Sequence, residues 1–144
     1  MLLFLISAKL EEKYMAKVII VEDDVKLAQN YQQKLTEEGF EVKISEDVVA
    51  VETIRTEKPD LVLLDLLMPK VHGLTILREL KMDAELETIP VLILTNVEGA
   101  NELSEAIAFG ASGYLVKADT NLDILVSKVK EAISAQAIGT GIKS

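Results

Sequence analysis

From Lys17 onward, short apolar runs alternate with stretches whose apolar residues recur every three or four positions. The runs have the length of strands, and the spaced stretches have the period of helices. VIIV (18–21) predicts a buried strand. Asp24 then stands where a helix N-cap belongs, ahead of Leu27, Tyr31 and Leu35 at four-residue spacing, and Gly39 is placed to end that helix. FEVKIS (40–45) alternates and predicts a more exposed strand. Asp47 is expected to cap a second helix that carries Val48, Val51 and Ile54 and closes before Pro59. LVLLD (61–65) predicts another fully buried strand, and after Pro69 and Gly73 a third helix is marked by Ile76, Leu77 and Leu80. The strand VLILT (91–95) precedes a fourth helix on Leu103, Ala106 and Ile107, closing at Gly110. A short strand YLVK (114–117) and a last helix on Leu122, Leu125, Val126, Val129 and Ile133 complete the series.

A strand followed by a helix, five times over, predicts the α/β class: a doubly wound, five-stranded parallel sheet covered on both faces. The expected strand order is 2-1-3-4-5, with a ligand crevice between strands 1 and 3 at the carboxyl edge. One domain is expected over residues 17–137, flanked by an N-terminal extension (1–16) and a flexible tail (138–144) whose IGTGIKS holds two glycines. The opening MLLFLIS is too short for a membrane span and lacks a basic region and cleavage site. Met15 offers an alternative start, so that residues 1–14 would lie upstream of it.

Composition narrows the chemistry. At 144 residues the chain is long enough for one proper core, with 49% hydrophobic and 27% charged residues. It has no cysteine and one histidine, His72, which removes disulfides, thiolate sites, thiol nucleophiles and multi-histidine metal centres. A formal net charge of −9 argues against direct binding to nucleic acid or anionic membranes.

The polar residues at strand ends carry the functional signal. Strand 1 runs into Glu22, Asp23 and Asp24, strand 3 ends in Asp65, strand 4 in Thr95 and strand 5 in Lys117. Singly, each has a plain structural explanation: Asp24 as a helix cap, Asp65 as a loop carboxylate, Thr95 bonding its loop, and Lys117 reaching to water. Together, Glu22, Asp23 and Asp65 would crowd three negative charges, each close pair costing ~4 kcal/mol at an effective dielectric of 20. Oxygen-only ligands suit a hard divalent cation, magnesium, which takes one or two carboxylates plus a phosphate. Lys117 adds a compact positive charge, Thr95 a neutral donor, and Asp65 a carboxylate able to act as a covalent nucleophile. The residues thus point to magnesium-dependent phosphoryl transfer to Asp65. No glycine-rich phosphate loop is present, and the acidic EDDVK loop would repel a bare phosphate.

These segments resemble the receiver domain of two-component response regulators, in a stand-alone, chemotaxis-regulator-like form. VIIVEDD, LVLLDLLMPKVHG, VLILTN and GASGYLVKA carry the likeness, as do the 30-residue step from Asp65 to Thr95 and the 22-residue step on to Lys117. The resemblance implies a flavodoxin-like (βα)5 fold in the cytoplasm, in which Asp65 accepts a phosphoryl group from a sensor histidine kinase or phosphotransfer protein. It implies magnesium held by Asp23, Asp65 and the backbone carbonyl of Leu67, with Glu22 acting through water. Lys117 would contact the phosphoryl oxygens, while Thr95 and Tyr114 would switch together and alter the face made by helix 4, strand 5 and helix 5. A signalling domain of this kind is not an enzyme, although it assists its own phosphorylation and dephosphorylation. Its partners would be the phosphodonor, a downstream protein target and, in one mode, a phosphorylation-dependent homodimer.

Two positions depart from the family pattern: Ala118 stands where proline usually follows the lysine, and Asp119 where an apolar residue is common. Two other readings compete. A pseudo-receiver would be an interaction module without phosphorylation, and a phosphatase would turn over an aspartyl-phosphate. DLLMP lacks the second acid that a phosphatase would need two residues after its nucleophile.

Overall fold

The computed structural model describes residues 15–96, 100–118 and 120–142. Strands β1 (Lys17–Val21), β2 (Glu41–Ser45), β3 (Leu61–Asp65), β4 (Val91–Thr95) and β5 (Gly113–Val116) form one parallel sheet in the order β2-β1-β3-β4-β5. The helices are α1 (Val25–Glu37), α2 (Ala50–Glu57), α3 (Gly73–Lys81), α4 (Ala100–Ala108) and α5 (Leu122–Ile142). Class and strand order are those predicted.

Burial explains the order. Every residue of β3 and β4 is buried, as are Val18 to Val21 of β1, whereas β2 and β5 are partly exposed. Fully burying one such aliphatic side chain contributes roughly 2 kcal/mol, so the continuous apolar runs take the centre and the alternating run takes an edge. Successive side chains of each strand feed opposite cores. Val18, Ile20, Leu61, Leu63, Leu92 and Leu94 pack with Tyr31 and Leu35 of α1 and Leu125 and Val129 of α5. Ile19, Val21, Val62, Leu64, Val91 and Ile93 pack with Ile54 of α2, Ile76, Leu77 and Leu80 of α3, and Ala106 of α4.

Several local expectations hold. Asp24 caps α1, its Oδ1 accepting the Leu27 N–H at 3.1 Å. Gly39 and Gly110 follow α1 and α4 at φ 96° and 103°, the left-handed region that glycine enters without a Cβ penalty. Others need correction. Asp47 does not cap α2; it opens a 3-10 turn, Asp47–Val49, and α2 begins at Ala50. Val48 is consequently exposed. Ile107 of α4 and Leu122 of α5 also face outward, because Ala106 is the residue of α4 that reaches the core and Leu125, Val126 and Val129 supply the buried stripe of α5. Lys117 lies one residue beyond β5. The backbone of α5 is helical to Ile142. Residues 1–14 and Asp119, on which other expectations fell, lie outside the described residues.

Candidate functional site

A parallel sheet brings all its strand ends to one edge, which here collects the polar residues. β1 and β3 are hydrogen-bonded neighbours, so Glu22 and Asp23, just past β1, stand beside Asp65 at the end of β3. One carboxylate oxygen from each of the three lies within 4.8 Å of the others. Lys117 reaches across from the end of β5. Its Nζ lies 3.1 Å from Asp65 Oδ2 and against Glu22 Oε1. Side-chain exposure is 0% for Glu22, 3% for Asp65 and 16% for Lys117, so this ion triad is screened from solvent. Asp23 lies on the exposed rim.

Backbone donors hold the carboxylates in place. The Asp24 N–H donates to Glu22 Oε2 at 3.2 Å, and the Leu67 N–H donates to Asp65 Oδ1 at 3.2 Å. Glu22 Oε1 sits directly against the Lys117 ammonium. Burial pushes the Glu22 carboxyl up to about 8; hydrogen bonding with Asp65 and Asp23 adds to the rise, and Lys117 opposes it. Burial also tends to lower Lys117, yet Glu22 and Asp65 outweigh it and keep the ammonium above its ordinary value. Asp23 is raised by burial but held below the usual carboxylate range by hydrogen bonds involving Glu22, its own backbone and Asp65, and by the charge of Lys117. Three carboxyls face one ammonium, so the cluster is short of positive charge.

The family described as the response regulator receiver domain matches residues 18–130. This chain belongs to that family. Among curated proteins it is similar to the response regulator MprA of Mycobacterium sp. (strain KMS), 30% identical over 102 residues, covering 70% of this chain and 44% of that protein. It is also similar to the response regulator PleD of Caulobacter vibrioides, 33% identical over 103 residues, covering 71% of this chain and 23% of that protein. The chain thus spans less than half the length of either relative. Among solved structures it is similar to the chemotaxis response regulator CheY4 of Vibrio cholerae, with a TM-score of 0.73 and 28% identity over 82% of this chain and 98% of that one. A signal receiver domain of a signal transduction histidine kinase from Syntrophus aciditrophicus gives a TM-score of 0.76 and 30% identity over 83% and 91% of the two chains.

In the receiver domain, Glu22, Asp23, Asp65 and Lys117 are brought together as expected. Thr95 ends the neighbouring strand β4; it is buried, and its hydroxyl donates to the Asn96 carbonyl at 3.0 Å. The Lys117 N–H donates to the Thr95 carbonyl at 2.8 Å, tying the two strand ends by backbone. Tyr114 lies outside the site, pairing with Ile93 along β4 and 48% exposed. His72 occupies the N-cap position of α3 and makes no side-chain capping bond. The Lys117–Ala118 peptide is trans, since no cis bond occurs among the described residues.

Two residues that shape the site escaped the sequence reading. From sequence, Gly73 is expected only to precede the third helix. A Cβ there would fall 2.2 Å from the Asp65 carbonyl oxygen and 2.6 Å from Leu66 Cα, and its N–H donates to the Leu66 carbonyl at 2.8 Å. The chain therefore folds back onto the acceptor strand through a gap only glycine fits. Asp47, read as a helix cap, instead bonds the β3–α3 loop.

Proposed function

We propose that this receiver domain accepts a phosphoryl group on Asp65 and converts that charge change into altered binding of a protein partner. The observation that carries the reading is the Asp65 carboxylate itself, buried at the end of β3, 3.1 Å from Lys117 Nζ and clustered with Glu22 and Asp23. The donor set fits magnesium: it offers carboxylate oxygens alone, one from each of Glu22, Asp23 and Asp65 within 4.8 Å of the others. Asp23 and Asp65 would hold the ion directly, Glu22 through water, with the Leu67 carbonyl beside them. Bound there, magnesium supplies positive charge to offset the carboxylates and the oxygens of the phosphoryl group.

An Asp65 oxygen attacks the phosphorus of a phosphohistidine on a sensor histidine kinase or phosphotransfer protein. The O–P bond forms as the P–N bond breaks, and the departing imidazole nitrogen keeps the electron pair. Lys117 already bridges Glu22 and Asp65, so its ammonium reaches the incoming phosphoryl oxygens with a short shift. Thr95 exchanges its bond to the Asn96 carbonyl for one to a phosphoryl oxygen. Tyr114 turns inward in concert, and the face made by α4, β5 and α5 changes shape. That face serves a downstream protein or a second phosphorylated copy. The acidic balance and the absence of a membrane-spanning helix among the described residues fit a cytoplasmic signalling role without direct nucleic-acid contact.

The test is an amide NMR titration with magnesium and beryllofluoride, which mimics the acyl phosphate. Shifts are expected at Thr95, Tyr114 and along α4, β5 and α5, and none in Asp65→Ala. A wild-type spectrum that does not respond overturns the reading and leaves a pseudo-receiver.

A further inference from the structure

The loop of residues 66–72 joins β3 to α3 and presents Leu67 beside Asp65. Leu66 and Met68 are buried in the core, and the Leu66 N–H donates to the Leu94 carbonyl at 3.4 Å. Three further bonds hold the loop. Two anchors are local to β3 and the loop: the Leu67 N–H on Asp65 Oδ1 at 3.2 Å, and the Gly73 N–H on the Leu66 carbonyl at 2.8 Å. The third comes from a different part of the fold. Asp47 Oδ2 accepts the Val71 N–H at 3.0 Å, while Oδ1 accepts the Val48 N–H of its own turn at 2.8 Å. The two oxygens of one carboxylate thus pin the segment after β2 to the far end of the loop, 24 residues away in sequence. Hydrogen bonds from backbone N–H to an ionised carboxylate are stronger than neutral ones, so this is a firm attachment for the outer part of the loop, where Pro69 and Lys70 are exposed.

The attachment bears on the acidic cluster. Asp47 lines a cleft of about 410 Å³ together with Glu22, Asp23, Pro69 and Lys70. The cleft is therefore lined both by the acid-bearing end of β1 and by the loop that Asp47 holds. Released at Val71, the loop would keep its attachments near β3 and lose its tie to the segment after β2, leaving Leu67 held from one side.

We propose that Asp47 is a positioning residue for the cation site, latching the β3–α3 loop so that Leu67 stays in register with Asp23 and Asp65. The inference rests on the magnesium reading given above. Groups that orient ligands without binding the metal typically alter affinity 10–100-fold when removed, and Asp47 acts through backbone, at the lower end of that range.

The test measures magnesium affinity by amide NMR titration of wild type, Asp47→Ala, Asp47→Asn and Glu46→Gln. Asp47→Ala is expected to weaken magnesium about tenfold, with faster hydrogen exchange at the Val71 amide and a melting temperature in chelator close to wild type. Asp47→Asn keeps an acceptor oxygen for Val71 while losing the charge, and is expected to recover most of the affinity. Glu46→Gln removes a neighbouring charge on the same cleft, and is expected to match wild type. Equal affinity in wild type and Asp47→Ala overturns the latch. So does an equal loss in all three variants, which would assign the effect to charge alone. A wild type that shows no saturable magnesium response overturns the magnesium reading itself, and the latch with it.

Discussion

Replacing Lys117 with methionine removes the cation that Glu22 and Asp65 share while keeping a similar apolar stem. At 3.1 Å, the pair with Asp65 is worth roughly 5 kcal/mol in Coulomb energy at an effective dielectric of 20, before desolvation is subtracted. Breaking a buried pair by removing one partner costs on the order of 3 kcal/mol. The pH dependence makes the prediction sharper. With burial holding Glu22 at about 8, its carboxyl is protonated below that pH in both proteins, so the deficit there is flat and comes from Asp65 alone. Above that pH, wild-type Glu22 ionises against the ammonium, whereas the variant's carboxyl has no partner and is pushed higher still. The variant's native state then holds a proton that the unfolded chain has released, and its stability falls with pH. The deficit should therefore grow by about 1.4 kcal/mol per unit, reaching ~2 kcal/mol more at pH 9.5 than at pH 8. Urea unfolding followed by far-ultraviolet circular dichroism, in chelator at pH 6.5, 8 and 9.5, measures it. A deficit that does not change with pH, or one below ~1 kcal/mol throughout, refutes the reasoning.

Three further outcomes follow from the same geometry. Magnesium binding at pH 7 should release close to one proton as Glu22 ionises, and affinity should rise with pH up to about 8 and then level off; calorimetry in buffers of different ionisation enthalpy reads the proton, and a pH-independent affinity contradicts it. Gly73→Ala drives a methyl into the Asp65 carbonyl oxygen at 2.2 Å, so a loss of about 3 kcal/mol and weakened magnesium binding are expected; denaturant unfolding and a magnesium titration check it, and near-wild-type values for both would refute it. Tyr31 is buried on α1 with a hydroxyl that makes no hydrogen bond among the described residues, so Tyr31→Phe should stabilise the domain by about 1 kcal/mol and raise its melting temperature by a few degrees; a lower melting temperature would mean that the hydroxyl has a partner.

Strand order and the acidic edge were readable from the sequence for definite reasons. Three continuous aliphatic runs can be satisfied only at the centre of a sheet covered on both sides, and the carboxylates directly follow two of those runs. Asp24 could be read as a cap because the bond it makes is local, three residues on. What escaped depended on contacts distant in sequence. Asp47 looks like a cap from its neighbours, yet its second oxygen is taken by Val71. Ile107 sits at helical spacing from Leu103, but α4 meets the sheet through Ala106, and a hydrophobic pattern does not report how closely a helix approaches. The choice of Lys117 to bridge Glu22 as well as Asp65 rests on side-chain geometry that no spacing encodes.

The central claim is that Asp65 accepts the phosphoryl group. Intact-mass and peptide mass spectrometry after incubation with magnesium and acetyl phosphate tests it most directly. The account predicts one added phosphoryl group on wild type, mapped to Asp65, dependent on magnesium and absent from Asp65→Ala. An unmodified wild type, or equal modification of Asp65→Ala, would contradict it.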